Sequence, residues 1–221
     1  MATILVTGAN RGIGLEYCRQ LHARGDSVIA VCRGVSPELE SLGIRIEAGI
    51  ELTQAASIDE LVSRLQGQPL NGVILNAGIL QNTVLKDLDA DAIRQQFEVN
   101  ALAPLRLASA LTSQLSSGSW IALMTSRMGS IADNSSGGSY GYRMSKAALN
   151  IAGKSLAIDL KPKGIAVAIL HPGLVATRMI QFNPNGISPQ QAVEGLLKRI
   201  DSLTLQTSGM FWHANGEQLP W

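Results

Sequence analysis

Short, unbroken apolar runs alternating with helical patterns restrict the fold of this chain more than any other feature of its sequence. Thr3–Val6, Ser27–Cys32, Ile44–Ala48, Gly72–Leu75, Ser119–Thr125, Ile165–Leu170 and Met210–His213 read as strands. Helices are expected after the first run, where Leu15, Cys18 and Leu21 share one face, and over about Ser57–Leu65, Asp89–Leu115, Tyr140–Leu160 and Pro189–Ile200. Gly25 is placed to stop the first helix in a left-handed cap, and Pro104 to bend the long one. A strand apolar along its whole length is buried on both faces, and helical crossovers between such strands make them parallel. The expectation is an α/β fold in which residues 1–221 form one doubly wound domain, a parallel sheet of about seven strands with helices on both faces.

Composition narrows the function classes. With 46% hydrophobic and 16% charged residues, 221 residues can bury one substantial core. A formal net charge of +1 and scattered arginines argue for neither nucleic acid nor an anionic membrane as partner. Thr7-Gly8-Ala9-Asn10-Arg11 cuts short the first apolar run, so no secretory signal is expected there, and no run reaches the roughly 18 apolar residues of a membrane span. Cys18 and Cys32 lie in an expected helix and strand with no CxxC spacing, which fits reduced core thiols in a cytoplasmic protein. No set of residues reads as a metal site.

Between the first strand and first helix stands Thr7-Gly8-Ala9-Asn10-Arg11-Gly12-Ile13-Gly14. Glycines in such a turn let backbone approach a pyrophosphate, and the helix N-terminus behind it offers unpaired N–H groups and a positive dipole end. The last glycine permits close packing of helix on sheet. Strand before and helix after are the context that makes this spacing a dinucleotide fingerprint of the Rossmann type. The second strand ends Val31-Cys32-Arg33-Gly34, without the carboxylate that would bind a ribose 2′-hydroxyl. Arg33, with Arg11 in the glycine turn, favours a 2′-phosphate, so NADP(H) is expected over NAD(H).

The chemistry centres on Tyr142-Arg143-Met144-Ser145-Lys146. At the start of a helix, residues four apart share a face, so phenol and ammonium project together. A fixed cation favours phenolate and is expected to bring the phenol below its ordinary value of about 10. Tyr140 cannot replace Tyr142, because its own i+4 position holds Met144. Ser126 closes the fifth expected strand, where a hydroxyl at the ligand-facing end of the sheet can hold a carbonyl oxygen; neighbouring Thr125 should point to the other face.

Together these elements resemble the short-chain dehydrogenase/reductase family over nearly the whole chain. The resemblance rests on the glycine turn, Asn76-Ala77-Gly78, Asn100, Ser126, Tyr142 with Lys146, and Pro172-Gly173 followed by Thr177. Gly129 to Arg143 and the ending Gly216-Glu217-Gln218-Leu219-Pro220-Trp221 are similar to the C-factor and sniffer-type carbonyl reductases. The resemblance implies a catalytic set of Asn100, Ser126, Tyr142 and Lys146, with Asn100 holding a water that links Lys146 to solvent. It implies that Asn76, Ala77 and Gly78 border the adenosine ribose, and that Lys146 binds the nicotinamide ribose. Pro172, Gly173, Val175 and Thr177 would frame the nicotinamide, while Glu51-Leu52 takes the place where many relatives have Asp beside the adenine.

The expected activity is NADPH-dependent reduction of a small-molecule carbonyl of ketone, aldehyde or quinone type, or oxidation of the matching alcohol. The alternative is an NADP(H)-binding signalling or scaffold protein of the C-factor type. A sugar-nucleotide epimerase or dehydratase would need a larger C-terminal region than the about fifty residues after Pro172. His171 is not expected to take a catalytic role, because the resemblance already supplies the acid in Tyr142. Leu174–Ser188 is short for a segment that covers substrate and is expected to form a mobile, incomplete lid over an open pocket. Family members often form homodimers or homotetramers; Ala147, Ala148, Ala152, Gly153 and Ala157 would suit either a helix interface or packing on the sheet.

Overall fold

A computed structural model describes residues 1–221. Its strands are β1 (Thr3–Thr7), β2 (Ser27–Val31), β3 (Arg45–Glu47), β4 (Leu70–Leu75), β5 (Leu115–Met124), β6 (Ala166–His171) and β7 (Phe211–His213). All neighbours pair in parallel in the order β3-β2-β1-β4-β5-β6-β7. The chain builds outward from β1 to β3, then returns to lay β4 beside β1. That reversal opens a crevice at the carboxyl ends of β1 and β4, where ligands bind in open α/β sheets.

Alternation along the strands divides the core into two layers. Ile4, Val6, Ala30 and Leu170 face a layer with Leu15, Cys18 and Leu21 of α1 (Gly12–Ala23), and with Val193, Leu196 and Ile200 of α7 (Pro189–Asp201). Leu5, Val73, Leu123 and Ile169 face the opposite layer, which holds Leu61 of α3 (Ala55–Arg64), Leu107 of α5 (Ala103–Leu111) and Leu149 of α6 (Tyr140–Leu160). Each fully buried side chain of this size contributes about 1.5–3 kcal/mol. A short α2 (Pro37–Glu40), capped by the Ser36 hydroxyl, carries no apolar period long enough to read from sequence. Cys18 and Cys32 are free and buried, and burial pushes the Cys18 thiol up to about 12. No helix is long and apolar enough to cross a membrane.

Two boundaries differ from expectation in ways that matter for the site. The long helix expected over Asp89–Leu115 divides into α4 (Ala90–Phe97), a π-helical turn at Glu98–Leu102 and α5. Its irregularity precedes Pro104, which lacks the N–H that an α-helix would direct at the Asn100 carbonyl, so the disturbance is felt one turn upstream. Strand β5 ends at Met124 rather than Thr125, and Ser126 opens a 3-10 turn, Arg127–Gly129, with its hydroxyl accepting the Met128 N–H at 3.2 Å.

The residues of α6 divide between two faces. Gly153 and Ala157 are buried against the sheet, whereas Met144, Ile151 and Ile158 form an exposed apolar row at seven-residue spacing. A Cβ on Gly153 would lie 2.6 Å from Leu123 Cδ1 and 2.8 Å from Ile169 Cγ1, so only glycine lets the helix sit this close to β5 and β6. Gly153→Val should therefore lift α6 and lower stability by about 1–3 kcal/mol in denaturant unfolding. An unchanged unfolding midpoint would show that α6 does not depend on this contact.

Candidate active site

The glycine turn is locked to β4 before it meets any ligand. Thr7 Oγ1 accepts the N–H groups of Asn76 (2.9 Å) and Ala77 (3.1 Å), and Asn76 Nδ2 donates to the Thr7 carbonyl at 3.0 Å. Gly8 takes φ +65° with its α-carbon against Ala77, where a Cβ would fall 2.9 Å from Ala77 Cα. A Cβ on Gly14 would fall 2.2 Å from the Gly8 carbonyl oxygen, so α1 packs on its own entry turn only because that side chain is absent. Gly12, at φ +56°, faces Thr177 across the mouth of the crevice.

Behind this turn α1 begins without a side-chain cap and without an acid in its first turn. Its free N–H groups and dipole make a place for an anion, and exposed Arg11 stands at the cap position beside half-buried Asn10 and Ile13. These residues fit a dinucleotide pyrophosphate. At the end of β2, Arg33 is 70% exposed and pairs with Glu51 at 3.2 Å. The Glu51 carboxylate also accepts the Thr53 N–H and hydroxyl. Burial opposes its ionisation, but the Thr53 and Arg33 hydrogen bonds prevail and hold it below the usual carboxylate range. Glu51 thus orients Arg33 rather than standing free, and Leu52 beside it packs partly buried on the core.

Ser126, Tyr142 and Lys146 meet at the carboxyl end of β5, all less than 10% exposed. Lys146 Nζ donates to the Met124 carbonyl at 2.9 Å and lies 5.7 Å from the centre of the Tyr142 ring. The Ser126 hydroxyl stands close enough to the phenol to favour its ionised form. The Thr125 hydroxyl donates to Asn150 Oδ1, further along α6, at 2.6 Å. One electrostatic expectation is corrected. Burial pushes the Tyr142 phenol up to about 12, with the Ser126 hydroxyl pulling the other way, instead of a cation bringing it down. The reason is desolvation, which also draws the Lys146 ammonium down to about 8 while a strand carbonyl holds it.

Asn100 is fully buried in the π-helical turn. Its Oδ1 accepts the Ile79 N–H at 2.8 Å, and its Nδ2 donates to the Ile79 carbonyl (2.9 Å) and Ser145 Oγ (3.0 Å). The side chain therefore fastens the strap after β4, and its hydrogen bonds go to Ile79 and Ser145, not to Lys146. Both groups flank Gly78, where a Cβ would sit 3.2 Å from Asn100 Oδ1 and 3.6 Å from Lys146 Nζ. Gln96, one turn before Asn100 and fully buried, holds the Gln81 N–H in the same way at 2.9 Å. Sequence reading passes over it, although its i−4 spacing from Asn100 is the signal that places both on one face.

Beyond β6, Pro172 and Gly173 lead to buried Val175, which bridges to Ile187. The Ala176 N–H and Ile187 N–H close the base of this lobe on the Ile187 and Leu174 carbonyls, both at 2.9 Å. Leu174–Ile187 is thus stapled at its neck, with Thr177 facing the glycine turn and Leu174, Met179, Phe182 and Ile187 exposed along it. His171 ends β6 with its ring edge-on to His213 at 4.9 Å. Burial, reinforced by the charges of His213 and Arg127, pushes it down to about 3, so the ring is neutral and weakly basic at neutral pH.

The short chain dehydrogenase family model matches residues 2–186. A protein of Rhodococcus sp. (strain AD45) called 1-hydroxy-2-glutathionyl-2-methyl-3-butene dehydrogenase is 43% identical over 226 residues, covering 100% of both chains. The C-signal of Myxococcus xanthus is 43% identical over 157 residues, 69% of this chain and 93% of its own. Among solved structures, the carbonyl reductase Sniffer of D. melanogaster superposes with a TM-score of 0.91 at 30% identity, covering 100% of each chain. An NADPH-bound carbonyl reductase from chicken fatty liver gives 0.89 at 30% identity, over 100% of this chain and 99% of that one. Sheet order, glycine turn and a match spanning most of the sequence agree: the chain belongs to the short-chain dehydrogenase family of oxidoreductases.

Proposed function

We propose that the protein is an NADPH-dependent oxidoreductase that reduces a ketone, aldehyde or quinone-type carbonyl, or oxidises the matching alcohol. One observation carries this reading: a phenol, a hydroxyl and an ammonium, all buried, converge where β5 opens into the ligand crevice. Gly8, Asn10, Arg11, Gly12, Ile13 and Gly14 would hold the pyrophosphate, Arg33 the 2′-phosphate, and Asn76, Ala77, Gly78, Glu51 and Leu52 the adenosine side. Pro172, Gly173, Val175 and Thr177 would border the nicotinamide. When bound, that cofactor supplies the hydride that the reduction requires.

In this scheme Ser126 donates a hydrogen bond to the substrate oxygen and holds it beside the phenol. Tyr142, protonated throughout the neutral range because burial pushes it up to about 12, delivers its proton to that oxygen. Lys146 in its charged form offsets the negative charge that develops on the phenol. Asn100 fixes the strap against which Lys146 rests, and its carbonyl, which Pro104 cannot serve with an N–H, would hold the water that returns protons from solvent. The Rhodococcus relative is named for a glutathionyl substrate, which favours a carbonyl carrying a bulky adduct beside the Leu174–Ile187 lobe. The exposed row of Met144, Ile151 and Ile158 supports self-association as a homodimer or homotetramer.

Tyr142→Phe should lower kcat for quinone reduction by about a thousandfold and leave NADPH affinity within about twofold, measured by cofactor fluorescence. Substantial residual turnover would remove the proton-donor role. Because Lys146 is drawn down to about 8, it is charged below that pH and neutral above it. Reduction should hold a plateau on the acid side and decline as pH rises past about 8, whereas a flat kcat profile up to about pH 10 would contradict a role for the ammonium. Arg33→Asp should weaken NADPH binding by about 10- to 100-fold with little effect on NADH, and Glu51→Gln should tighten NADPH by releasing Arg33. Equal losses for both cofactors in titration calorimetry would take the 2′-phosphate away from Arg33.

A further inference from the structure

Helix α6 is capped from outside itself, two residues before Tyr142. Ser139, at the cap position, is left-handed at φ 47°, and its hydroxyl accepts no N–H of the first turn. The first two donors go instead to Thr83 in the loop after β4. The Tyr140 N–H donates to the Thr83 carbonyl at 3.2 Å and the Gly141 N–H to Thr83 Oγ1 at 2.8 Å. Thr83 is 1% exposed, so water cannot readily replace a lost acceptor.

The threonine is held in turn by the strap that leads to it. Asn100 grips both backbone groups of Ile79, and Gln96 grips the Gln81 N–H. The helix end has no room to adjust, because a Cβ on Gly141 would sit 2.4 Å from Gln96 Nε2 and 3.1 Å from Ile93 Cα. A continuous path therefore runs from Asn100 and Gln96, through residues 79–83, to the turn of α6 that presents the phenol.

We propose that Thr83 is a positioning residue whose hydroxyl sets the first turn of α6, and with it the Tyr142 phenol relative to Ser126. The inference rests on reading Tyr142 as the proton donor. Nothing in it requires Thr83 to touch substrate or cofactor. Valine matches threonine in shape but offers no acceptor, so Thr83→Val isolates the hydroxyl, and Thr83→Ser restores it.

The test compares these two variants and Tyr142→Phe with the unmodified protein, using NADPH and phenanthrenequinone. Thr83→Val should lower kcat by about tenfold or more, keep NADPH affinity within about twofold, and speed hydrogen exchange at the Gly141 amide. Thr83→Ser should recover most of the rate and the amide protection. Should Thr83→Val fail to fold, Thr83→Ala serves the same comparison. The inference is overturned if the hydroxyl-less variant keeps the native rate or native Gly141 protection, or if serine is as impaired as valine. With Tyr142→Phe inactive, such a result removes the role of Thr83 alone; a fully active Tyr142→Phe removes the proton-donor reading beneath it as well.

Discussion

The close seating of α6 on β5 and on the turn after it organises the functional end of this molecule. Gly153 allows the helix to approach Leu123 and Ile169, and Gly129 brings the Arg127–Gly129 turn against the backbone of Lys146, where a Cβ would fall 2.7 Å from the Lys146 carbonyl carbon. From that position the Lys146 side chain reaches the Met124 carbonyl, and Tyr142, one helical turn earlier, stands beside Ser126. The site is thus a by-product of packing that the core already requires. A helix lifted by even an ångström would separate the phenol from the hydroxyl, and rate falls steeply with such displacement.

Burial makes these groups reactive in opposite senses. It keeps the proton on the Tyr142 phenol and weakens the hold of Lys146 on its own, so at neutral pH the pair is an un-ionised phenol beside an ammonium that loses its proton at about 8. That state suits delivery of a proton to a carbonyl oxygen. The reverse reaction would need phenolate, which the positive charge of an oxidised nicotinamide held there would favour. At the other end of the crevice the Arg33–Glu51 pair presents a guanidinium held in place by an acid that is itself anchored on Thr53. In the proposed scheme that pair would balance affinity for a 2′-phosphate against repulsion of it.

Much of this was legible in the sequence because it follows from local rules. The seven strands came from continuous apolar runs, the glycine turn from its place between strand and helix, and the phenol–ammonium face from i,i+4 spacing. The ends of elements were less legible. The π-helical turn at Asn100 reflects a missing N–H at Pro104 felt a turn earlier, and no periodicity reports that. Tyr142 was expected to be lowered by its lysine, but the balance between burial and charge depends on depth, which spacing does not encode. Sequence alone gives Glu51 and Arg33 separate contacts, because it does not encode the tertiary folding that joins residues 18 apart. The cap on α6 was illegible for the same reason: Thr83 lies 58 residues from the amide it receives.

The most direct test of the account is a crystal structure with oxidised cofactor and a substrate analogue bound. It should place the reactive carbon of the nicotinamide within about 3.5 Å of the analogue's carbonyl carbon, with the oxygen on that carbon sharing hydrogen bonds from Tyr142 and Ser126. A nicotinamide ring lying outside the crevice, or a Tyr142 hydroxyl walled off from the analogue, would contradict it.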